Sequence, residues 1–431
     1  MKLDRIEEIL EGRKKGTVRI GGWVENFRSS GGVMFLVIRD GSGFIQATVH
    51  KEDVDEKTFK EVDKITQESS LIIEGDVRED KRAPGGFEIR LKKVEILQIA
   101  EEYPLGKKEH GPEFLFDNRH LWLRSRRQNA ILKIRSTIIK SSIDFLDEEG
   151  FVRVDSPILT PVSCEDIVTL FEVKYPGGKV YLSQSGQLYS EASIASLGRV
   201  YCFGPTFRAE KSKTRKHLAE FWMLEPEMAF YDFEDNIKLQ EELVTRIVKD
   251  VLRKNKKELE VLGSDISKLE KIEPPFPRIS YKEAIELLQK NGFKIKYGED
   301  FGAPQERFIS QQFDKPIIIH RFPAAIKAFY MEPDPENPEL TLSDDIIAPG
   351  GYGEIISGSQ RISDLKLLEK KIKDFKLKKE NYQWYLDLRR YGAVPHSGFG
   401  IGLERVLMWI CGLETIKEAI PFPRTMGRMK P

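Results

Sequence analysis

The chain has 431 residues, 40% hydrophobic and 32% charged, a length that predicts two or three domains and a composition that excludes a disordered or low-complexity chain. Lys plus Arg and Asp plus Glu balance at 69 each, which argues against a non-specific nucleic-acid binder, although a specific RNA enzyme can gather its positive charge locally. Three scattered cysteines, Cys164, Cys202 and Cys411, form neither a disulfide framework nor a CxxC zinc site. The opening MKLDRIEEILEG lacks an apolar signal core, and no run approaches the ~18 apolar residues of a membrane span, so a cytoplasmic protein with no membrane partner is expected.

In chain order, residues 17–49 give three β-rich runs separated by Ser-Ser-Gly-Gly and Asp-Gly-Ser-Gly turns. A helix is expected at about 52–66, then SSLIIEGDVRED and FEIRLKKVEILQIA as two further strands. Five strands with a helix between the third and fourth match an OB-fold barrel over 1–100. Residues 101–128 break the pattern with Pro, Gly and charge and are expected to form a hinge. From 129 to 431 the reading is α+β, an antiparallel sheet flanked by helices. It begins with a long helix at 127–149, and Pro157 follows near a strand end. Strands are expected at 180–184, 200–208, 221–231, 316–320, 326–332, 353–357 and 398–401.

Two segments carry recognisable chemistry. Phe207-Arg208-Ala209-Glu210 is followed by a polar stretch and by His217-Leu218-Ala219-Glu220-Phe221: a strand, a loop and a returning strand. An arginine at a strand end offers a rigid fork to a phosphate, and an aromatic offers a stacking face, although a charged hairpin explains Arg and Glu on neighbouring strands equally well. Gly398-Phe399-Gly400-Ile401-Gly402-Leu403-Glu404-Arg405 is a glycine-rich strand entering a helix with an arginine in its first turn. Leu403 stands where a Rossmann fingerprint needs glycine, and no GK[ST] occurs, so Rossmann and P-loop enzymes are excluded. Between them Tyr352–Arg361 carries Glu354 and Ser357, hard oxygen donors suited to Mg²⁺, with Asp345 upstream as a weaker donor.

These segments, in this order after the helix–strand–Pro157 segment, resemble motifs 1, 2 and 3 of class II aminoacyl-tRNA synthetases. Lys211-Ser212-Lys213-Thr214 looks like the KMSKS loop of class I synthetases but falls inside the motif 2 loop. The strings YLSQSGQLYSEA, FRAEKSKTRKHLAEFWMLEPEMAF, IKAFYM, YGEIISGSQR and WYLDLRRYGAVPHSGFGIGLER are most similar to the asparagine enzymes of the aspartate–asparagine–lysine subgroup, in an archaeal-like form. The resemblance implies asparagine–tRNA ligase activity: ATP-dependent formation of asparaginyl-adenylate from L-asparagine, then transfer to the 3′ end of tRNA(Asn).

It further implies catalytic roles for Arg208, Glu210, His217 and Arg405, and an ATP site completed by Leu218, Phe221, Glu354 and Gly402. The amino acid would be met by Glu165, Ser185, Gln187, Ser190, Glu191, Glu225, Ser357 and Arg361, and Mg²⁺ by Glu354, Ser357 and Asp345. Similar enzymes read the anticodon with residues matching Phe35, Gln46 and Arg28, and dimerise through motif 1 as a C2 homodimer. Ser190 stands where aspartyl relatives carry a lysine, and Glu225 where they carry a shorter Asp, which biases the pocket toward an amide over a carboxylate. Near Glu165, Asp166 and Ile167 replace glycines common in the family. An aspartyl or non-discriminating synthetase, and a tRNA-independent asparagine synthetase, are the alternatives; the latter lacks an N-terminal barrel.

Overall fold

Alternating apolar residues close the N-terminal segment into a barrel. In the computed structural model, which describes residues 3–106, 108–165, 167–209 and 214–430, a short helix α1 (Ile6–Leu10) precedes β1 (Thr17–Ser30), β2 (Val33–Arg39) and β3 (Phe44–His50). Helix α2 (Glu56–Val62), N-capped by Asp55 accepting from the Thr58 amide at 2.7 Å, leads to β4 (Ser70–Glu79) and β5 (Phe87–Gln98). The strands close in the order β1-β2-β3-β5-β4, with β3 and β5 parallel. The period of two sends Met34, Leu36 and Ile38 inward to meet Val18, Ile20, Ala47 and Leu91, and leaves Phe35 on the outer face.

The chain divides into two compact units, Met1–Leu115 and Phe116–Pro431. The second is built on helix α3 (Arg126–Glu148) and an eight-stranded sheet. The sheet comprises β6 (Val152–Arg153), β7 (Arg199–Phe207), β8 (Glu220–Ala229), β9 (Arg278–Ser280), β10 (Ile317–His320), β11 (Ser343–Ala348), β12 (Gly353–Gln360) and β13 (His396–Gly402). Their order is β9-β10-β11-β12-β13-β8-β7-β6. The sheet is antiparallel through its centre, as expected, but β9–β10 and β7–β6 pair in parallel at its two edges. Residues 326–332, expected as a strand, run instead as turns with one isolated bridge from Met331 to Arg361. Phe329, Tyr330 and Met331 are buried there against Tyr382 and Tyr385, so the apolar run reflects loop packing.

The helices that bear on the site are α4 (Gln187–Leu197), α5 (Phe233–Lys254), α6 (Ala303–Ser310), α7 (Gln383–Arg390) and α8 (Leu403–Ile410). Helix α5 starts at a capping box in which Asp232 and Asp235 bond each other's backbone amides, and it buries Ile237, Leu243, Val244 and Val251 against the sheet. Among the described residues no helix is long and apolar enough to cross a membrane.

Candidate active site

Strand β8 lays Phe221, Met223, Glu225 and Glu227 on one face by its period of two, and the first three line a cavity of about 340 Å³. Beside it β13 contributes glycines because side chains of β8 occupy their space: a Cβ on Gly400 would meet Met223 Cε at 2.5 Å, and one on Gly398 would collide with the Glu227 carboxylate. Strand β12 adds Ser357, and Arg361 follows its last residue. Glu354, three residues from Ser357, would face away on a regular strand, but a register shift leaves Ile355 as an extra residue and brings Glu354 onto the same cavity.

Arg208 follows the last residue of β7, its amide bonded to Ala219 O at 3.0 Å. Its guanidinium lies 5.4 Å from the Phe221 ring centre and 3.9 Å from the Glu165 carboxylate. Glu165 is placed by its own amide, which donates to Gln184 Oε1 at 3.2 Å. Arg405, in the first turn of α8, donates to the Glu354 carbonyl at 3.0 Å, beside Gly402. His217 and Leu218 complete this end, with His217 Nδ1 2.5 Å from Thr214 Oγ1. Glu210, with Lys211, Ser212 and Lys213, lies outside the described residues, as does Asp166.

At the other end Glu225 is buried and accepts from Ser185 Oγ, from the Gly186 amide at 2.8 Å and from Cys202 Sγ at 3.4 Å. Burial raises its carboxyl above the usual carboxylate range, and these donors only partly offset the rise. Arg361 is gripped by Glu227, a residue the sequence reading missed although it shares a strand face with Glu225. Ser185 and Gln187 line the cavity, whereas Ser190 and Glu191, expected to touch the amino acid, do not. They sit on the inward face of α4. Glu191 there accepts from Gln187 Nε2 (3.1 Å), Tyr385 OH (2.7 Å) and Arg389 (2.6 Å), and lies 3.0 Å from His396 Nε2. Arg389 and His396 hold this buried carboxyl far below its ordinary value. Glu191, Glu227 and His396 converge closely enough to suggest a metal site, but Arg361 and Arg389 already supply the positive charge.

The expected Mg²⁺ donors fall into two groups. Glu354 and Ser357 line the cavity; Asp345 does not, pairing with Ser357 across the strands and with Lys327 Nζ at 2.7 Å. Burial, reinforced by Asp345 and Glu306, pushes the Glu354 carboxyl up to about 7, and Asp345 Oδ1 is buried without a partner among the described residues. A desolvated carboxylate beside an orphaned oxygen fits a hard divalent cation. Lys327 and Lys216, both lining the cavity, were also missed; burial lowers the Lys216 ammonium. Glu404, at the cavity wall, ties the three motif segments together by pairing with Arg135 of α3 at 2.7 Å and accepting from the Trp222 amide at 3.0 Å.

In the barrel unit, Arg28 stacks 4.4 Å from the Phe35 ring centre on the neighbouring strand. Gln46 donates to Glu88 at 3.1 Å.

Residues 111–426 match the family described as tRNA synthetases class II (D, K and N), and residues 18–97 match an OB-fold nucleic acid binding domain. The chain is 59% identical to an asparagine–tRNA ligase of Pelotomaculum thermopropionicum over 96% of both chains. It is 54% identical to an asparagine–tRNA ligase of Thermus thermophilus over 96% of this chain and 97% of the relative. A crystal structure of asparaginyl-tRNA synthetase from Pyrococcus horikoshii complexed with asparaginyl-adenylate superposes with a TM-score of 0.97 at 44% identity, covering 100% of both chains. The barrel, the motif 2 and motif 3 segments around one cavity and these full-length likenesses together place the chain in the class II tRNA synthetases, where it belongs to the asparagine–tRNA ligase family.

Proposed function

We propose that the cavity activates L-asparagine with ATP and passes the asparaginyl group to tRNA(Asn). The observation that carries this is one cavity with cationic side chains at one end and the buried Glu225 and Arg361 at the other. Activation is an in-line attack of the amino-acid carboxylate on the α-phosphorus, so positioning and charge stabilisation suffice and no protein nucleophile is required. Arg208 holds the α-phosphate, and Glu210 shares in binding the nucleotide. His217 and Arg405 take the terminal phosphates, Leu218 and Gly402 border the nucleotide, and Phe221 and Arg405 enclose adenine. The positive end of α8 adds to the field there.

Glu165 receives the substrate ammonium, with Ser185 and Gln187 flanking it. Glu225 accepts from the amide NH₂, and Arg361 donates to the amide oxygen. Ser190 and Glu191 act from beneath, Glu191 by fixing Gln187 through their hydrogen bond. Glu354 and Ser357 would hold Mg²⁺, with Asp345 adjoining, and the ion would supply positive charge against the phosphates. The terminal ribose hydroxyl of tRNA then displaces AMP.

On the barrel, Phe35 stacks on an anticodon base while Gln46 and Arg28 contact its edge and backbone. Motif 1 forms a C2 homodimer, supported by the apolar surface that Val152, Ile158 and Leu159 expose. Aminoacylation of a tRNA(Asn) transcript with ATP and asparagine tests the function, and absence of charging overturns it. Sedimentation tests the dimer, and a monomer at all concentrations refutes it.

A further inference from the structure

Glu191 lies one helical turn beyond Gln187 on α4, and two side chains of α7 close on it. Tyr385 OH reaches both carboxylate oxygens, at 2.9 and 2.7 Å, and Arg389 Nη2 donates to Oε2 at 2.6 Å. Arg389 is itself fixed: its Nε donates to the Ile362 carbonyl at 2.8 Å, and its guanidinium lies 4.3 Å from the Tyr385 ring centre. Glu191, Tyr385 and Arg389 are each at most 7% exposed, and none of them lines the cavity. Burial favours a neutral carboxyl at Glu191, but the charges of Arg389 and then His396 more than offset it and hold the group ionised. An ionised carboxylate can only accept hydrogen bonds.

That restriction decides which way the Gln187 side chain is turned. Its amide has a donor end and an acceptor end, and toward Glu191, at 3.1 Å, it must present Nε2. Oε1 is thereby turned away from Glu191, without a hydrogen bond among the described residues, on a side chain that lines the cavity. The backbone is held too, since the Gln187 amide donates to Ser185 Oγ at 3.1 Å. What Gln187 offers a ligand is therefore an acceptor, suited to a cation.

We infer that Arg389 and Tyr385 are positioning residues for the amino acid: they hold the Glu191 carboxylate against Gln187 Nε2, so that Gln187 Oε1 is presented to the α-ammonium of asparagine. This rests on the placement of that ammonium between Glu165 and Gln187. Neither α7 side chain touches the substrate. Without the Arg389 charge the buried Glu191 takes up a proton and can donate as well as accept, and the Gln187 amide is no longer constrained to keep its oxygen on the ammonium.

The test measures binding of L-asparagine and of succinamic acid, which is asparagine without its α-amino group, to the native enzyme and to Arg389→Met, Arg389→Lys and Tyr385→Phe. Arg389→Met should weaken asparagine about tenfold or more and leave succinamic acid unchanged, and Arg389→Lys, which keeps a charged donor, should restore most of the loss. Tyr385→Phe keeps the ring and removes only the hydroxyl, so it decides the matter even if Arg389→Met does not fold; it should weaken asparagine about threefold and spare succinamic acid. Equal losses for the two ligands would show that α7 only supports the pocket wall, and overturn the inference. Unchanged asparagine binding in Tyr385→Phe and Arg389→Met also overturns it. Gln187→Leu separates the two levels: if it weakens asparagine no more than succinamic acid, the ammonium is not read at Gln187, and the placement itself is wrong.

Discussion

Glu227 grips Arg361 through two parallel hydrogen bonds, Nε to Oε1 at 2.8 Å and Nη2 to Oε2 at 3.0 Å, with Ser359 Oγ accepting a third at 2.7 Å. Both residues are at most 3% exposed, so the guanidinium charge is compensated inside the protein before any substrate arrives. A neutral amide oxygen can satisfy the donor capacity that remains; a carboxylate would bring surplus negative charge. Glu227→Gln removes the compensation while keeping the shape. Asparagine activation should fall at least about tenfold in kcat/KM, and the ratio of aspartate to asparagine use should rise. Pyrophosphate exchange with each amino acid measures both, and an unchanged ratio contradicts the compensation argument.

Glu225 supplies a pH signature. Burial raises its carboxyl, so on acidification it takes up a proton at a higher pH than an exposed glutamate does. Ionised, it would accept a charge-assisted hydrogen bond from the amide and repel a carboxylate; protonated, it would keep only a weaker neutral acceptor and lose the repulsion. Lowering the pH through its titration should therefore reduce kcat/KM for asparagine and narrow the gap to aspartate. Glu225→Gln should show a narrowed gap at every pH, with that component of the profile gone. A native selectivity independent of pH in this range would refute the role.

Arg135 and Glu404 join the long helix α3 to the motif 3 helix, and Arg135 also donates to the Ala419 carbonyl at 2.9 Å. Removing one member of a buried pair strands the other, at a cost of about 3–5 kcal/mol. Arg135→Ala should lower the denaturant midpoint of the catalytic unit by a corresponding amount. An unshifted midpoint would mean that water reaches Glu404.

Phe35 lies on the outer face of the barrel with Arg28 stacked on it. Stacking on a base is worth ~1–3 kcal/mol, so Phe35→Ala should raise KM for tRNA by about fivefold to a hundredfold and leave tRNA-independent adenylate formation intact. If charging is unchanged, Phe35 is only a barrel residue.

The barrel was legible because its strands bury one face each, and a period of two is easy to see along Val33–Arg39. Motifs 2 and 3 were legible because their chemistry sits at strand ends. Strand β6 was missed as a parallel edge because it is only two residues long. Residues 326–332 misled because an apolar run buried by neighbouring loops looks like one buried in a sheet. The approach of Glu354 to Ser357 depends on a bulge at Ile355 that spacing alone does not announce. Glu227 could have been found from its alternation with Glu225. By contrast, the inward turn of Glu191 depends on Tyr385 and Arg389, nearly two hundred residues away in sequence.

Whether this cavity selects the amide side chain is decided by ATP–pyrophosphate exchange by the native enzyme with asparagine and with aspartate, each over a full concentration series. A site that pairs Glu225 with an amide donor and meets its oxygen with a pre-neutralised Arg361 predicts exchange with asparagine and a kcat/KM for aspartate lower by at least about a hundredfold. Equal exchange with the two amino acids would refute selection of the amide and leave a non-discriminating synthetase in its place.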